Sequence, residues 1–230
     1  MKPELKKLEA ILGVTFSDPK TLISAITHRS FLNENRTATQ EHNERLEFLG
    51  DAVLELVITD YLFSKYPEKP EGELTSVRAA LVNTNTLADA STKLGINDFL
   101  LLSKGEAKDT GRARLYILAN AYEAITGAIY LDQGYPAARE FIARTLFERT
   151  DNIVAKKLWQ DAKSRFQEQA QEHAGITPQY QTTKEEGPDH DRNFTVGVFL
   201  RGELIAEGTG KAKQEAEQMA AEKGLEVKGW

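Results

Sequence analysis

Apolar residues recur every three or four positions through the first 150 residues, and a two-residue alternation emerges only in the last third of the chain. Leu5, Leu8, Ile11 and Leu12 share one helical face, and Gly13 closes that segment. Asp18-Pro-Lys opens a second helix with Leu22, Ile23 and Ile26 on one side. A long helix is predicted from Asn43 to about Tyr66, where Pro67 stops it. Pro70-Glu-Gly-Glu-Leu-Thr reads as a loop feeding a helix through Val77, Ala80, Leu81 and Val82. Further helices are predicted at about 85–94, 112–130 and 136–150. Residues 1–150 are therefore expected to form an all-α domain.

The texture changes after that. A polar, charged stretch at 151–160 reads as a linker, followed by a helix over about 162–173. Strand-like segments lie at 179–184, 193–200 and 203–207, the last two joined by a tight turn at Arg201-Gly202. A final helix is predicted over about 211–225, with Ala216, Met219 and Ala220 facing inward. The order α-β-β-β-α predicts a small two-layer α+β domain over 161–230.

Acidic side chains interrupt the apolar pattern of the long helix. Glu44, Glu47, Asp51 and Glu55 fall within roughly 80° of one another on a helical wheel. Leu46, Leu49, Val53, Leu56 and Val57 are predicted to form the core face, with Phe48, Leu54 and Ile58 bordering the acids. Two unit charges about 6 Å apart repel by about 3 kcal/mol at an effective dielectric near 20. Either some of these carboxyls hold their protons, or cations sit among them. Asn120 and Glu123, spaced i,i+3, project from one face of the later helix, between small residues Ala119, Ala121, Ala124 and Gly127. Packing that face on the stripe would gather Glu47, Asp51, Asn120 and Glu123 into an all-oxygen cage of the type magnesium favours. Gly50 costs about 1 kcal/mol relative to alanine inside a helix, which implies a close backbone contact there. A solvated helix face is the competing reading, and for Glu55 it is the better one.

Composition narrows the classes. With 40% hydrophobic and 28% charged residues the chain is an ordinary globular protein. It has no cysteine, which excludes a disulfide framework and cysteine-based zinc sites and suits the cytoplasm. The four histidines are not clustered, the N-terminus has no secretory apolar core, and no apolar run is long enough for a membrane span. The net charge of −6 speaks against a nucleic-acid partner, unless a local basic patch does the binding.

His42-Asn-Glu-Arg-Leu-Glu-Phe-Leu-Gly-Asp-Ala-Val-Leu resembles the signature of the ribonuclease III family of double-stranded-RNA endonucleases, and Leu118-Ala-Asn-Ala-Tyr-Glu-Ala resembles its second acidic motif. The domain order, nuclease then double-stranded-RNA-binding domain, covers essentially the whole chain. The resemblance implies a cytoplasmic, Mg²⁺-dependent homodimer, with Mn²⁺ as a substitute, acting in rRNA and mRNA processing. Each of its two sites would cut one strand, leaving a 5′-phosphate, a 3′-hydroxyl and a short 3′ overhang. It implies Glu47, Asp51 and Glu123 as metal carboxylates, Asp51 and Glu123 as central to catalysis, and Glu44 and Glu71 as supporting groups. It implies Phe48 as a dimer contact. The family usually has aspartate where this chain has Asn120. That departure leaves an alternative, a catalytically impaired RNA-binding protein, and predicts weaker magnesium binding.

At the other end, Gly208-Thr-Gly-Lys-Ala-Lys-Gln precedes the last helix without P-loop spacing. Lys211 and Lys213 beside a helix N-terminus form a phosphate-binding arrangement. The segment is similar to the basic motif of double-stranded-RNA-binding domains, with Gln214 where a second lysine is usual. By the same resemblance Gln167, Glu168 and His190 would face minor grooves. Residues 161–228 carry nine Lys/Arg against thirteen Asp/Glu, a net of −4, so charge alone favours an ordinary lysine-tipped surface helix. Thr27-His-Arg-Ser and Arg78 are further candidates for phosphate contact in the first domain.

Overall fold

The protein is described here by a computed structural model covering residues 4–156, 159, 161–188 and 192–230. The chain forms two compact units, Met1–Trp159 and Gln160–Trp230. Unit one is helical: α1 (Leu5–Leu12), α2 (Pro19–Ala25), α3 (Arg29–Glu34), α4 (Glu44–Lys65), α5 (Glu71–Val82), α6 (Thr84–Lys93), α7 (Lys104–Lys108), α8 (Arg112–Leu146) and α9 (Thr150–Ala155). Unit two carries α10 (Ala162–Ala174), β1 (Gln179–Glu186), β2 (Asn193–Leu200), β3 (Glu203–Gly210) and α11 (Lys213–Lys228).

Local chemistry sets most boundaries. Gly13 closes α1 in the left-handed conformation, φ 64°. The Asp18 carboxylate accepts from Lys20 N at 3.0 Å to start α2. Tyr66 ends α4 immediately before Pro67. Helix α5 begins at Glu71, not after a loop through Thr75 as expected: Pro70 is extended, and Glu71 and Glu73 suit the positive end of the helix. The two arms expected around residue 133 are present in α8, which breaks at Gly134 (φ 79°) ahead of Pro136. Helices α3 and α7 span only six and five residues, too short to show a repeat in the sequence.

The buried face of α4 differs from the expected one. Gly50, Val53, Leu54, Val57, Ile58 and Leu62 are buried, whereas Leu56 is 58% and Phe48 83% exposed. The core arc is rotated towards the acids because α4 presses on α8 at Gly50. Leu54 and Ile58 therefore belong to the core itself, and Phe48 does not shield the stripe within the chain. Around this contact Val77 and Leu81 of α5, with Tyr122, Ile125 and Phe141 of α8, complete the core.

Residues 151–160, expected to be a linker, are helical through Ala155. Ile153 is buried in the core of the first unit. The Asp151 carboxylate accepts from Tyr66 Oη at 3.0 Å and pairs with Lys65 Nζ at 2.6 Å.

In the second unit the antiparallel sheet runs β1-β2-β3. Tyr180 faces Val198 and Val198 faces Ala206 across it. Arg201 (φ 52°) and Gly202 (φ 82°) make the tight turn between β2 and β3. Phe166, Ala170, Val198, Ala220 and Leu225 form a separate core. Met219, expected inside, is 38% exposed. The inward positions of α11 go to Ala216, Ala220, Ala221 and Gly224, small enough for β3 to lie against the helix at Gly208.

Candidate active site and nucleic-acid interface

Helices α4 and α8 meet backbone to backbone. A Cβ added to Gly50 would overlap the Glu123 carbonyl oxygen, and one added to Gly127 would overlap the Leu46 carbonyl oxygen. The crossing thus sits within one turn of Glu47, Asp51 and Glu123. Their charges act on one another. Burial, followed by the charges of Asp51 and Glu47, pushes the Glu123 carboxyl up to about 7. Glu47 is raised as well, first by burial and then by Glu44, with a smaller contribution from Asp51. The Asn120 side-chain amide acts on Glu47 in the opposite sense and opposes that rise.

Asp51 is exposed at the rim of the group. Glu44 is also exposed and pairs with Arg29 at 3.4 Å, with His42 at 3.8 Å. Glu71 stands elsewhere. It accepts from Thr75 Oγ1 at 3.3 Å and lines a cavity of about 410 Å³ with Thr59, Phe63, Lys69 and Arg78. It is not among the charges that shift Glu47 or Glu123.

Among the described residues no three His, Asp or Glu side chains converge as a ready-made metal cage. The donor set nevertheless fits a hard divalent cation. It offers only oxygen, and it leaves Glu123 desolvated beside two other acids, with burial and negative charge as the causes of its shift. Such a group is stabilised by positive charge placed among its oxygens.

Phe48 lines a cavity of about 670 Å³ with Lys20, His42, Arg45 and Leu131. Leu56, Phe63 and Leu131 are exposed like Phe48. Arg78 donates to Thr59 Oγ1 at 2.9 Å. In the Thr27-His-Arg-Ser segment Thr27 is buried and donates to Ile23 O, and His28 Nδ1 lies 2.8 Å from Ser30 Oγ. Arg29, already paired with Glu44, is the exposed cation of that segment.

In the second unit, Gln167 and Glu168 are exposed on α10 and line a groove of about 530 Å³. Lys211, Lys213 and Gln214 are exposed around the start of α11. Lys213 Nζ pairs with Glu185 Oε1 at 2.8 Å and lies 5.4 Å from the Phe194 ring centroid. The Lys211 backbone N–H donates to Glu215 Oε2 at 2.8 Å. Glu185 also pairs with Arg192 at 3.5 Å. Nothing in the sequence singles out Glu185, since a carboxylate on an exposed strand carries no periodic signal. His190 lies outside the described residues.

Comparison with known proteins gives a consistent picture. Residues 18–150 match the family described as Ribonuclease-III-like, and residues 162–228 match the double-stranded RNA binding motif. Ribonuclease 3 of Carboxydothermus hydrogenoformans is 47% identical over 226 residues, spanning 98% of this chain and 96% of that protein. Ribonuclease 3 of Bdellovibrio bacteriovorus is 43% identical over 224 residues, spanning 97% and 95%. A solved nuclease domain of ribonuclease III from Campylobacter jejuni, described for flexibility in its dimer-forming region, superposes with a TM-score of 0.57. It is 42% identical and covers 63% of this chain and 97% of its own.

Proposed function

The chain belongs to the ribonuclease III family, and from that premise we propose that it is a homodimeric, Mg²⁺-dependent endonuclease for double-stranded RNA. One observation carries the reading: α4 and α8 touch where their carboxylates lie, so Glu47, Asp51 and Glu123 share one electrostatic neighbourhood.

Glu47, Asp51 and Glu123 hold Mg²⁺, or Mn²⁺ in its place, with Asn120 beside them. When bound, the cation supplies Lewis-acid neutralisation of phosphate charge and lowers the pKa of water. The protein's own groups do the rest. Half-buried Glu123, whose carboxyl is held up by desolvation and by the charges of Asp51 and Glu47 in the metal-free site, would give up its proton when a cation binds and serve as a ligand. Asn120 favours the charged form of Glu47. Glu44 holds Arg29 at the edge of the site, where a guanidinium is placed to meet a phosphate. Glu71 acts from its own cavity as a supporting group rather than as part of the carboxylate cluster. Hydrolysis leaves a 5′-phosphate and a 3′-hydroxyl.

Phe48, with Leu56 and Phe63 farther along α4 and Leu131 of α8, is the apolar surface that a second copy covers. Two copies carry two sites, one for each strand, which accounts for a short 3′ overhang. In the second unit Gln167 and Glu168 meet a minor groove, and Lys211, Lys213 and Gln214 meet phosphates. Among the described residues no helix is long and apolar enough to cross a membrane. Folded ribosomal and messenger precursors in the cytoplasm are the duplexes such an enzyme would meet. No observation favours the alternative of a non-cutting RNA binder: Glu47, Asp51 and Glu123 are all present as acids.

The test is end chemistry. A perfect RNA duplex incubated with the protein and Mg²⁺ should give fragments bearing 5′-phosphates, and none when the metal is chelated. Duplex binding without fragments, in Mg²⁺ and in Mn²⁺ alike, would contradict the proposal.

A further inference from the structure

The contact between α4 and α8 is reciprocal. A methyl group on Gly50 would overlap the carbonyl oxygen of Glu123 and stand 2.8 Å from Gly127 N. One on Gly127 would overlap the carbonyl oxygen of Leu46 and stand 2.9 Å from Gly50 N. Each glycine therefore presents a Cα–H to a carbonyl one turn before the other glycine. Every obstructing atom is backbone, so no change of rotamer makes room. The two backbones leave no room for a Cβ between them, and they do so beside the acids: Asp51 follows Gly50, Glu47 precedes it by three residues, and Glu123 lies one turn before Gly127.

A side chain has limited reach, so the gap between the two backbones sets how closely oxygens from α4 and α8 can approach a shared ion. Mg²⁺ demands oxygens at about 2.0–2.1 Å, whereas Ca²⁺ accepts about 2.3–2.6 Å with looser geometry. We propose that Gly50 and Gly127 are positioning residues that set the cation size accepted between the helices, selecting Mg²⁺ over larger divalent ions. The inference rests on the metal-dependent nuclease reading above and adds selectivity to it.

The experiment compares full-length wild type with Gly127→Ala, following the thermal unfolding midpoint during separate titrations with Mg²⁺ and Ca²⁺. This readout does not depend on activity. The added methyl group should raise the Mg²⁺ concentration for half-maximal stabilisation by about tenfold or more, and that for Ca²⁺ by less than about threefold. A core variant away from the crossing, Leu146→Ala, should lower the midpoint without changing the ratio between the ions. An unchanged ratio in Gly127→Ala, in a wild type that responds to Mg²⁺, would overturn the inference and leave the nuclease reading intact. A wild type indifferent to both ions would remove both. Should Gly127→Ala fail to fold, glycine-labelled wild type serves instead. The Gly50 and Gly127 Hα resonances should move to different end points in Mg²⁺ and Ca²⁺, and identical end points would overturn the inference.

Discussion

Glu123 shows how a half-buried carboxyl among other acids opposes folding. Its carboxyl ordinarily titrates at 4.5 and is pushed up to about 7 by burial and by neighbouring acids. A carboxyl whose folded pKa lies above its unfolded value binds its proton more tightly in the folded state. The stability it contributes is full below about pH 4.5 and is lost as the pH rises through 7. After discounting for its partial exposure, the loss amounts to about 1–2 kcal/mol. Metal-free Glu123→Gln should therefore unfold at a higher temperature than wild type at pH 8, with the gap closing towards pH 5, as scanning calorimetry would register. A wild-type advantage at pH 8 would mean that the site is not electrostatically strained. Asn120 belongs to the same balance. An aspartate there adds a negative charge beside Glu47, so Asn120→Asp should lower the Mg²⁺ concentration for half-maximal cleavage by several-fold. Identical Mg²⁺ titrations for the two proteins would remove any role for the amide in cation binding.

At the scale of the element, α4 has two apolar faces. One is buried in the core through Val53, Leu54, Val57 and Ile58, and the other exposes Phe48, Leu56 and Phe63. Helical spacing reveals which residues share a face, and that much was legible: the helix, its end at Pro67, and the acid stripe along its side. Spacing does not reveal which apolar face the chain itself covers. The expectation that Leu56 was core and that Leu54 and Ile58 were only bordering residues failed for that reason. Gly50 was legible as a close contact because glycine inside a helix needs a cause, while the identity of its partner required three dimensions. If a second copy covers the outer face, Phe48→Asp should shift sedimentation from dimer to monomer at micromolar concentration. Losing a central aromatic anchor typically costs about 2–4 kcal/mol of association. A variant that remains dimeric at the same dilution would place the interface elsewhere.

For the whole molecule, the net charge of −6 is a poor guide to the partner. The second unit is acidic as a sequence, yet Lys211, Lys213 and Gln214 stand together at one end of α11, and Glu185 holds Lys213 in an ion pair. The domain type was legible from the α-β-β-β-α order, but this local pairing was not, since it joins a strand and a helix across the fold. Replacing Lys213 with glutamine should reduce the slope of log affinity against log salt concentration by about one, as expected when one fewer phosphate is neutralised. A slope equal to that of wild type would exclude Lys213 from the phosphate interface. The first unit remains the catalytic half.

The central claim is that carboxylates from two touching helices hold the cation that cuts duplex RNA. Its most direct test is the rate of duplex cleavage against Mg²⁺ concentration, for wild type and Glu123→Gln side by side at equal RNA occupancy. Wild type should rise to a saturating rate and Glu123→Gln should fall below it by about 10²-fold or more, with duplex affinity unchanged. Equal rates for the two proteins, or wild-type cutting that persists under chelation, would contradict the account.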